Sequence, residues 1–566
     1  MADFQRAKAR ERGGPKKSLG LQTERRRENQ KAGRKTGRAA RLEGKRRSAP
    51  ASGSEEVTPE AASAAAAAAV TTILSPPDAA SLLGALRTLR GALSHPTEPP
   101  TADVVASGVV GAMTELLATP NDELQLEALA CLTNIAADYS EHAVSVLDAL
   151  PHLVSLVADP REALAEQAVW TLGNLAADSD ELRAAVLAAG GLRPIAALLA
   201  TAPDGSAGAG VRPPHILRTA AWALSNLARG APGPAGTVAP FFDLGLSPVL
   251  LQLLAHADES VAAEAAWVLS FLSARDDQAA TALAEAGAVG ALSQALHRTQ
   301  AKNPVATPAL RTLGNFASIG ENFAAAIVAE PLFLPPLVHL YSAEAETPKG
   351  LLKEATWLVS NLAVGQREAV VGAGLLPPLV QIVASAQFDL QREALFALRN
   401  LMAEPAYATS ALEQGVLAPV VSFLRTQDPD AVMCALAVCG LVLQHQPDGP
   451  QAVEAAGGME AIDDLNYSGG NGEVKAFAAH LVDTYYGDDY GEDEVEAEAG
   501  AGDAGGGLGG GFGGGPGVAP PAGGFSFGQA AQLGGGAESA GPAPGAGRGR
   551  GMTLPSWMTQ QPGPGS

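Results

Sequence analysis

A tryptophan and an asparagine stand four residues apart at Trp170/Asn174, and the pair recurs at Trp222/Asn226 and Trp357/Asn361. A partial version, Trp267 with Phe271, lies between them. Of the five tryptophans, four occupy this one position of a repeated pattern, and only Trp557 does not. On a helix, residues i and i+4 share a face, so each repeat presents an indole beside an amide. An amide both donates and accepts, which suits it to holding a peptide main chain of any sequence. Neighbouring indoles would form slots for the methylene stems of Lys or Arg, with cation–π attraction to the charge. Carboxylates beyond the slots, Asp178 and Asp138, would then fix the charged heads. Together these residues imply a receptor for short, extended, Lys/Arg-rich segments. A single tryptophan at helical spacing is usually core, and a single asparagine is often a helix-end residue. The regular recurrence favours binding, because a core would accept Leu or Phe at the Trp position.

The elements that must carry these pairs follow from a longer pattern, roughly E-A-x-W-x-L-x-N-L-A. It appears as Glu127…Asn134, Glu166…Asn174, Arg218…Asn226, Glu264…Phe271, Ala309…Asn315, Glu354…Asn361 and Glu393…Asn400. The anchors 134, 174, 226, 271, 315, 361 and 400 are separated by 40, 52, 45, 44, 46 and 39 residues. The long spacing holds an insert, Ala202–Pro214, rich in Gly, Pro and Ala, which reads as an inter-helix loop. Each unit carries a second apolar helix after the motif, entered through a Gly or Pro, as in "GGLRPIAALL" at 190–199. A helix-only period of about 40–47 residues is the armadillo/HEAT signature. The expected fold is all-α: a right-handed superhelical solenoid of about ten armadillo repeats, since one unit cannot bury its own apolar face. The solenoid is expected over 79–490. A basic arm (1–48) and a linker (49–78) precede it, and an acidic then Gly/Pro-rich tail (491–566) follows; arm, linker and tail are expected to be disordered.

Composition agrees. Apolar residues make up 47% of the 566 but aromatics only 5%, which suits closely packed helices. The net charge of −22 hides an asymmetry. Residues 1–50 hold 17 basic and 5 acidic residues, net +12, leaving 21 basic and 55 acidic residues, net −34, to the remainder. An acidic body repels nucleic-acid phosphate and attracts basic partners, its own arm included. Cys131, Cys434 and Cys439 fit no zinc spacing and point to a reducing, intracellular compartment. No apolar run is long enough to span a bilayer. Metalloprotease, nucleophile-elbow, Walker and dinucleotide motifs are absent, so an enzyme is not expected, nor is a cofactor or metal.

The sequences "EQAVWTLGNLAADS" (166–179), "LRTAAWALSNLARG" (217–230), "AEAAWVLSFLS" (263–273) and "KEATWLVSNLAVG" (353–365) closely resemble the repeat motifs of the importin-α (karyopherin-α) family, in that family's order. The resemblance runs over about residues 1–490. It implies a nuclear import adaptor with two sites for nuclear localisation signals. Asn134, Asp138, Trp170, Asn174, Asp178, Trp222, Asn226, Glu264 and Trp267 would form the major site, with Asp178 the partner of the signal's key lysine. Arg311, Asn315, Glu354, Trp357, Asn361, Glu393, Phe396 and Asn400 would form the minor site. Two departures stand out: Ala130 sits where the family has its first Trp, and Phe396 replaces Trp in the eighth repeat. The outer slot of each site is expected to be shallower, with Asp138 compensating by charge.

The clusters Arg25-Arg26-Arg27, Arg34-Lys35, Arg38, Arg41 and Lys45-Arg46-Arg47 resemble the family's importin-β-binding domain. The last cluster would fold back into the major site as an autoinhibitor. Residues 456–494 resemble the tenth repeat, which implies contact with an export receptor and Ran-GTP around Ala456–Asp489. Gly524-Phe525-Ser526-Phe527-Gly528 looks like a single nucleoporin FG motif. The implied localisation is cytoplasm and nucleus, by shuttling. Two other readings remain: a scaffold for one dedicated basic partner without transport, and a nucleic-acid-binding protein that uses the basic arm.

Overall fold

The computed structural model describes residues 58–199, 212–229, 238–302, 304–342, 346–467 and 471–487. The arm and its clusters, the linker before residue 58, most of the Ala202–Pro214 insert and the tail lie outside the described residues. Among the described residues every regular element is helical, as the composition requires. These residues form two compact units, one ending at Ala288 and one beginning at Val289.

In the first unit the long helices are α1 (Pro59–Leu74), α2 (Ala79–Leu93), α3 (Asp122–Ala136), α4 (Glu162–Asp178), α5 (Pro214–Ala228) and α6 (Glu259–Ser273). In the second they are α7 (Ala306–Ala317), α8 (Lys349–Leu362), α9 (Phe388–Leu401), α10 (Pro429–His445) and α11 (Gly472–Tyr485). From α2 onward shorter helices separate them, and within each unit each long helix packs on the next. All seven motif copies fall on α3–α9, one to a helix. Within its unit each motif helix packs on its neighbours in the stack and on shorter helices beside it. That explains why residues 171–178 of α4 are all buried, the polar stripe Thr171, Asn174 and Asp178 included.

The expected linker of 49–78 is corrected over Pro59–Leu74, which is helix α1. Alanine is the best helix former, Pro59 takes the first helical position, and Thr58 Oγ1 accepts from Ala61 N–H at 3.3 Å. Ala62, Ala66, Ala69, Val70 and Ile73 form one buried stripe against α2. The solenoid therefore starts about one helix earlier than the motif indicates. The break before most of the second apolar helices is a left-handed glycine, as at Gly190 (φ 84°), where Gly191 N–H reaches back to Val186 O at 3.1 Å; Leu150–Leu156 and Leu334–His339 start without one.

The three cysteines are buried and none is in a disulfide. Burial raises the Cys131 thiol, with the Glu127 charge adding to it, and pushes Cys439 up to about 12. A thiolate is the reactive form, so all three should resist alkylation by iodoacetamide at pH 8 in the native protein and react once it is unfolded. A rapidly labelled cysteine in the native state would contradict this burial. No helix among the described residues is long and apolar enough to cross a membrane.

Candidate peptide-binding site

The asparagines do more than face a groove. Asn174 Nδ2 donates to Thr133 O at 3.2 Å, Asn226 to Gly173 O at 3.3 Å, Asn361 to Gly314 O at 3.1 Å and Asn400 to Ser360 O at 2.8 Å. In each case the acceptor is the residue just before the asparagine of the preceding motif helix. Asn134 makes the equivalent contact to Arg90 O at 3.4 Å and also donates to Ser94 Oγ at 3.0 Å. In these five repeats one amide donor thus ties the motif helix to the preceding one in register. Asn134, Asn174, Asn226, Asn315 and Asn361 are at most 2% exposed, and Asn400 is half-buried. Besides the peptide-holding role expected of them, the amides tie each motif helix to the preceding one. The carbonyls of Asn226 and Asn400 are tied in turn, accepting from Arg183 Nε at 2.8 Å and Arg367 Nε at 2.7 Å.

The indoles stand at two depths. Trp222 and Trp357 are 7% and 2% exposed, whereas Trp170 and Trp267 are half-buried. The cause lies on the preceding helix, at the residue before its asparagine. A Cβ built on Gly173 would lie 2.2 Å from Trp222 Cζ3, and one on Gly314 would lie 2.0 Å from Trp357 Cζ3. These two indoles sink into the gap left by a missing side chain. Trp170 and Trp267 follow repeats with Thr133 and Ser225 at that position and stay higher in the wall. The indole N–H groups of Trp170 and Trp357 are buried without a hydrogen-bond partner. Ala130 is 3% exposed, so the second repeat offers no aromatic slot. Phe271, in the asparagine position, stacks on Trp267 at 5.5 Å and carries the Arg229 guanidinium 5.2 Å from its ring centroid.

Charge is arranged by repeat. Asp178, the final residue of α4, is 7% exposed, and Asp138, just past α3, is 5% exposed. Both stand four residues after their asparagine, on adjacent repeats. An acid there opposes the helix dipole, so helix stability does not call for it. His142 Nδ1 lies 3.1 Å from Asp138 Oδ2. Glu264 is half-buried beside the half-buried face of Trp267 on α6. In the other unit Arg311 pairs with Glu354, Nε to Oε2 at 3.2 Å and Nη2 to Oε1. Burial works against the Arg311 charge, but Glu354 outweighs it and raises the guanidinium pKa. Glu354 is thus satisfied within the chain, while Glu393 is a carboxylate only 5% exposed. Arg87, which holds the aromatic position of the first repeat, pairs with Glu123 and Glu127, each at 3.4 Å.

The structure thus gathers Asn134, Asp138, Trp170, Asn174, Asp178, Trp222, Asn226, Glu264 and Trp267 on successive helices of one unit. It gathers Arg311, Asn315, Glu354, Trp357, Asn361, Glu393, Phe396 and Asn400 on successive helices of the other. Sequence reasoning missed Gly173 and Gly314, although "TLGN" at 171–174 and again at 312–315 was a visible signal. It also missed Arg392, which carried none.

Comparison with known proteins matches residues 97–137, 140–177 and 364–403 to the armadillo/beta-catenin-like repeat. The chain is 32% identical over 429 residues to importin subunit alpha-9 of Arabidopsis thaliana, covering 72% of this chain and 79% of that protein. It is 33% identical over 425 residues to importin subunit alpha-2 of Oryza sativa subsp. japonica, covering 72% and 78%. The crystal structure of an engineered protein superposes with a TM-score of 0.64 at 27% identity, over 74% of this chain and 98% of its own. With a Trp/Asn-bearing helix in repeat after repeat and relatives matched over most of their length, the chain is an armadillo-repeat solenoid that belongs to the importin-α family.

Proposed function

We propose that this chain is a nuclear import adaptor that reads Lys/Arg-rich localisation signals on the Trp/Asn helices and couples them to importin-β through its basic arm. The observation that carries this reading is the pair Asp138 and Asp178. These are two nearly buried carboxylates at the same position of adjacent repeats, where the helix dipole disfavours acid. The tryptophans add weight. Burying an indole N–H unpaired costs about 1–3 kcal/mol, and Leu or Phe would fill such a site without that cost. A signal's main chain would run along the asparagine row, its stems between Trp170, Trp222 and Trp267, and its charged heads towards Asp178 and Asp138. Trp357, Asn361 and Glu393 would do the same in the other unit.

The arm's net +12 and the body's net −34 supply the attraction for self-inhibition. Tethering raises the effective concentration of Lys45-Arg46-Arg47 at the site, so even weak contacts compete with cargo. Release of cargo and return to the cytoplasm would use the tenth repeat, from Gly458–Tyr467 to Gly472–Tyr485, as the surface for an export receptor with Ran-GTP. The FG motif at 524–528 would add a weak nucleoporin contact.

Titrating a labelled basic signal peptide against the full chain and against a chain lacking residues 1–48 tests the reading. Truncation should tighten binding about tenfold or more, and Lys45→Ala in the full chain should give part of that gain. Equal affinity of the two chains rules out self-inhibition, and failure of both to bind rules out the adaptor reading.

A further inference from the structure

Arg392 and Phe396 are i and i+4 on α9, and the guanidinium carbon lies 5.8 Å from the Phe396 ring centroid. Two carboxylates at the start of α10 complete the surroundings. Asp428 Oδ2 lies 3.1 Å from Arg392 Nε, and Asp430 Oδ2 lies 3.2 Å from Nη2. Asp428 is itself fixed as the N-cap of α10, its Oδ1 accepting from the Asp430 and Ala431 N–H groups at 3.0 and 3.2 Å. An aromatic face with two carboxylates on the far side is what a cargo lysine or arginine would require of a slot. Here the chain fills it with its own arginine.

We propose that Arg392 is an intramolecular occupant of the outermost slot of the minor site. It confines cargo reading in this unit to Trp357, Asn361 and Glu393. The inference rests on the adaptor reading above and specifies which rungs of this unit meet cargo. It also accounts for the Trp-to-Phe departure. A slot closed by an intrahelical contact needs only a ring broad enough to support one guanidinium, and the half-buried Phe396 supplies that. A cargo residue can enter only by displacing Arg392 from Asp428 and Asp430, which exchanges one cation for another with no net gain in ion pairing. Arg87, held by Glu123 and Glu127 in the aromatic position of the first repeat, shows the same cis pairing in the other unit.

The test uses the full chain carrying Asp178→Asn, which weakens the other unit's site, and a fluorescent (Lys-Arg)4 peptide read by anisotropy. Arg392→Ala should raise affinity about three- to tenfold, and Arg392→Gln should do the same. Adding Phe396→Ala to Arg392→Ala should abolish the gain. Arg425→Ala removes an exposed cation paired with Glu460 in the same unit and should give no gain, which separates slot opening from a change in net charge. No gain from either Arg392 variant, or an equal gain from Arg425→Ala, overturns the proposal. Trp357→Ala in the same background keeps the two ideas apart. If it leaves peptide binding intact, the minor-site reading itself fails and this inference falls with it. If it removes binding while Arg392→Ala changes nothing, only the inference fails. Circular dichroism and a thermal melt of each variant confirm that the helices are retained.

Discussion

Gly314→Ala is expected to lower stability by up to about 2 kcal/mol, although alanine is the better helix former. Two effects oppose each other. Replacing a mid-helix glycine with alanine gains about 1 kcal/mol of propensity. The new methyl, however, would lie 2.0 Å from Cζ3, 2.6 Å from Cε3 and 2.8 Å from Cη2 of Trp357. No small adjustment relieves three overlaps with one rigid ring, and Trp357 is 2% exposed, so the indole has no free space to enter. Overpacking of this kind costs about 1–3 kcal/mol, and sterics win. The indole would be driven outward, so tryptophan fluorescence should shift to longer wavelength before the main unfolding transition in urea. In a Trp357→Leu background the same Gly314→Ala change should be neutral or stabilising, because only propensity then remains. Gly173→Ala should behave alike through Trp222, at 2.2 Å. A Gly314→Ala chain more stable than wild type would show that the ring does not sit on the glycine.

Asp178→Asn is expected to cut affinity for a monopartite basic peptide by about 30-fold or more, with the helices and melting temperature preserved. Losing one partner of a desolvated ion pair costs about 2–5 kcal/mol, and every 1.4 kcal/mol is tenfold. Asp178 is 7% exposed, so its charge is poorly screened. Stability should not fall in parallel, since the carboxylate stands at the negative end of α4. Glu393→Gln is the companion variant, with a smaller expected loss for the same peptide. Direct titration of both variants, with a thermal melt of each, separates binding from folding. If Asp178→Asn binds like wild type, the signal's key lysine is not read there.

The repeat and its inner helices were legible because their cause is local. A period near 40–47 residues and Trp/Asn at i, i+4 place one motif on each of α3–α9 without any tertiary information. Helix α1 was misread because Ala, Ser and Pro suggest a linker by composition, while the stripe Ala62/Ala66/Ala69/Ile73 is apolar only weakly and becomes decisive only against α2. Indole depth was not legible from a motif taken alone. The depth of Trp222 depends on Gly173, 49 residues earlier, and that of Trp357 on Gly314, 43 residues earlier. The asparagine ties were missed for the same reason, since the acceptor Gly173 O is 53 residues from Asn226. Arg392 gave no signal because its two carboxylate partners become neighbours only when α9 packs on α10.

The seating of Trp222 on Gly173 and of Trp357 on Gly314 makes the order of repeats part of the molecule's grammar. A repeat ending in "TLGN" calls for a tryptophan-bearing successor, and one bearing Thr or Ser there admits a ring that stands higher. Transplanting the fourth repeat behind the second would set its indole against Thr133 instead of a glycine. A chimera assembled from individually sound repeats would then hold that ring higher in the wall than its own repeat does, so the joint residues, as well as the motifs, set how deep each ring sits.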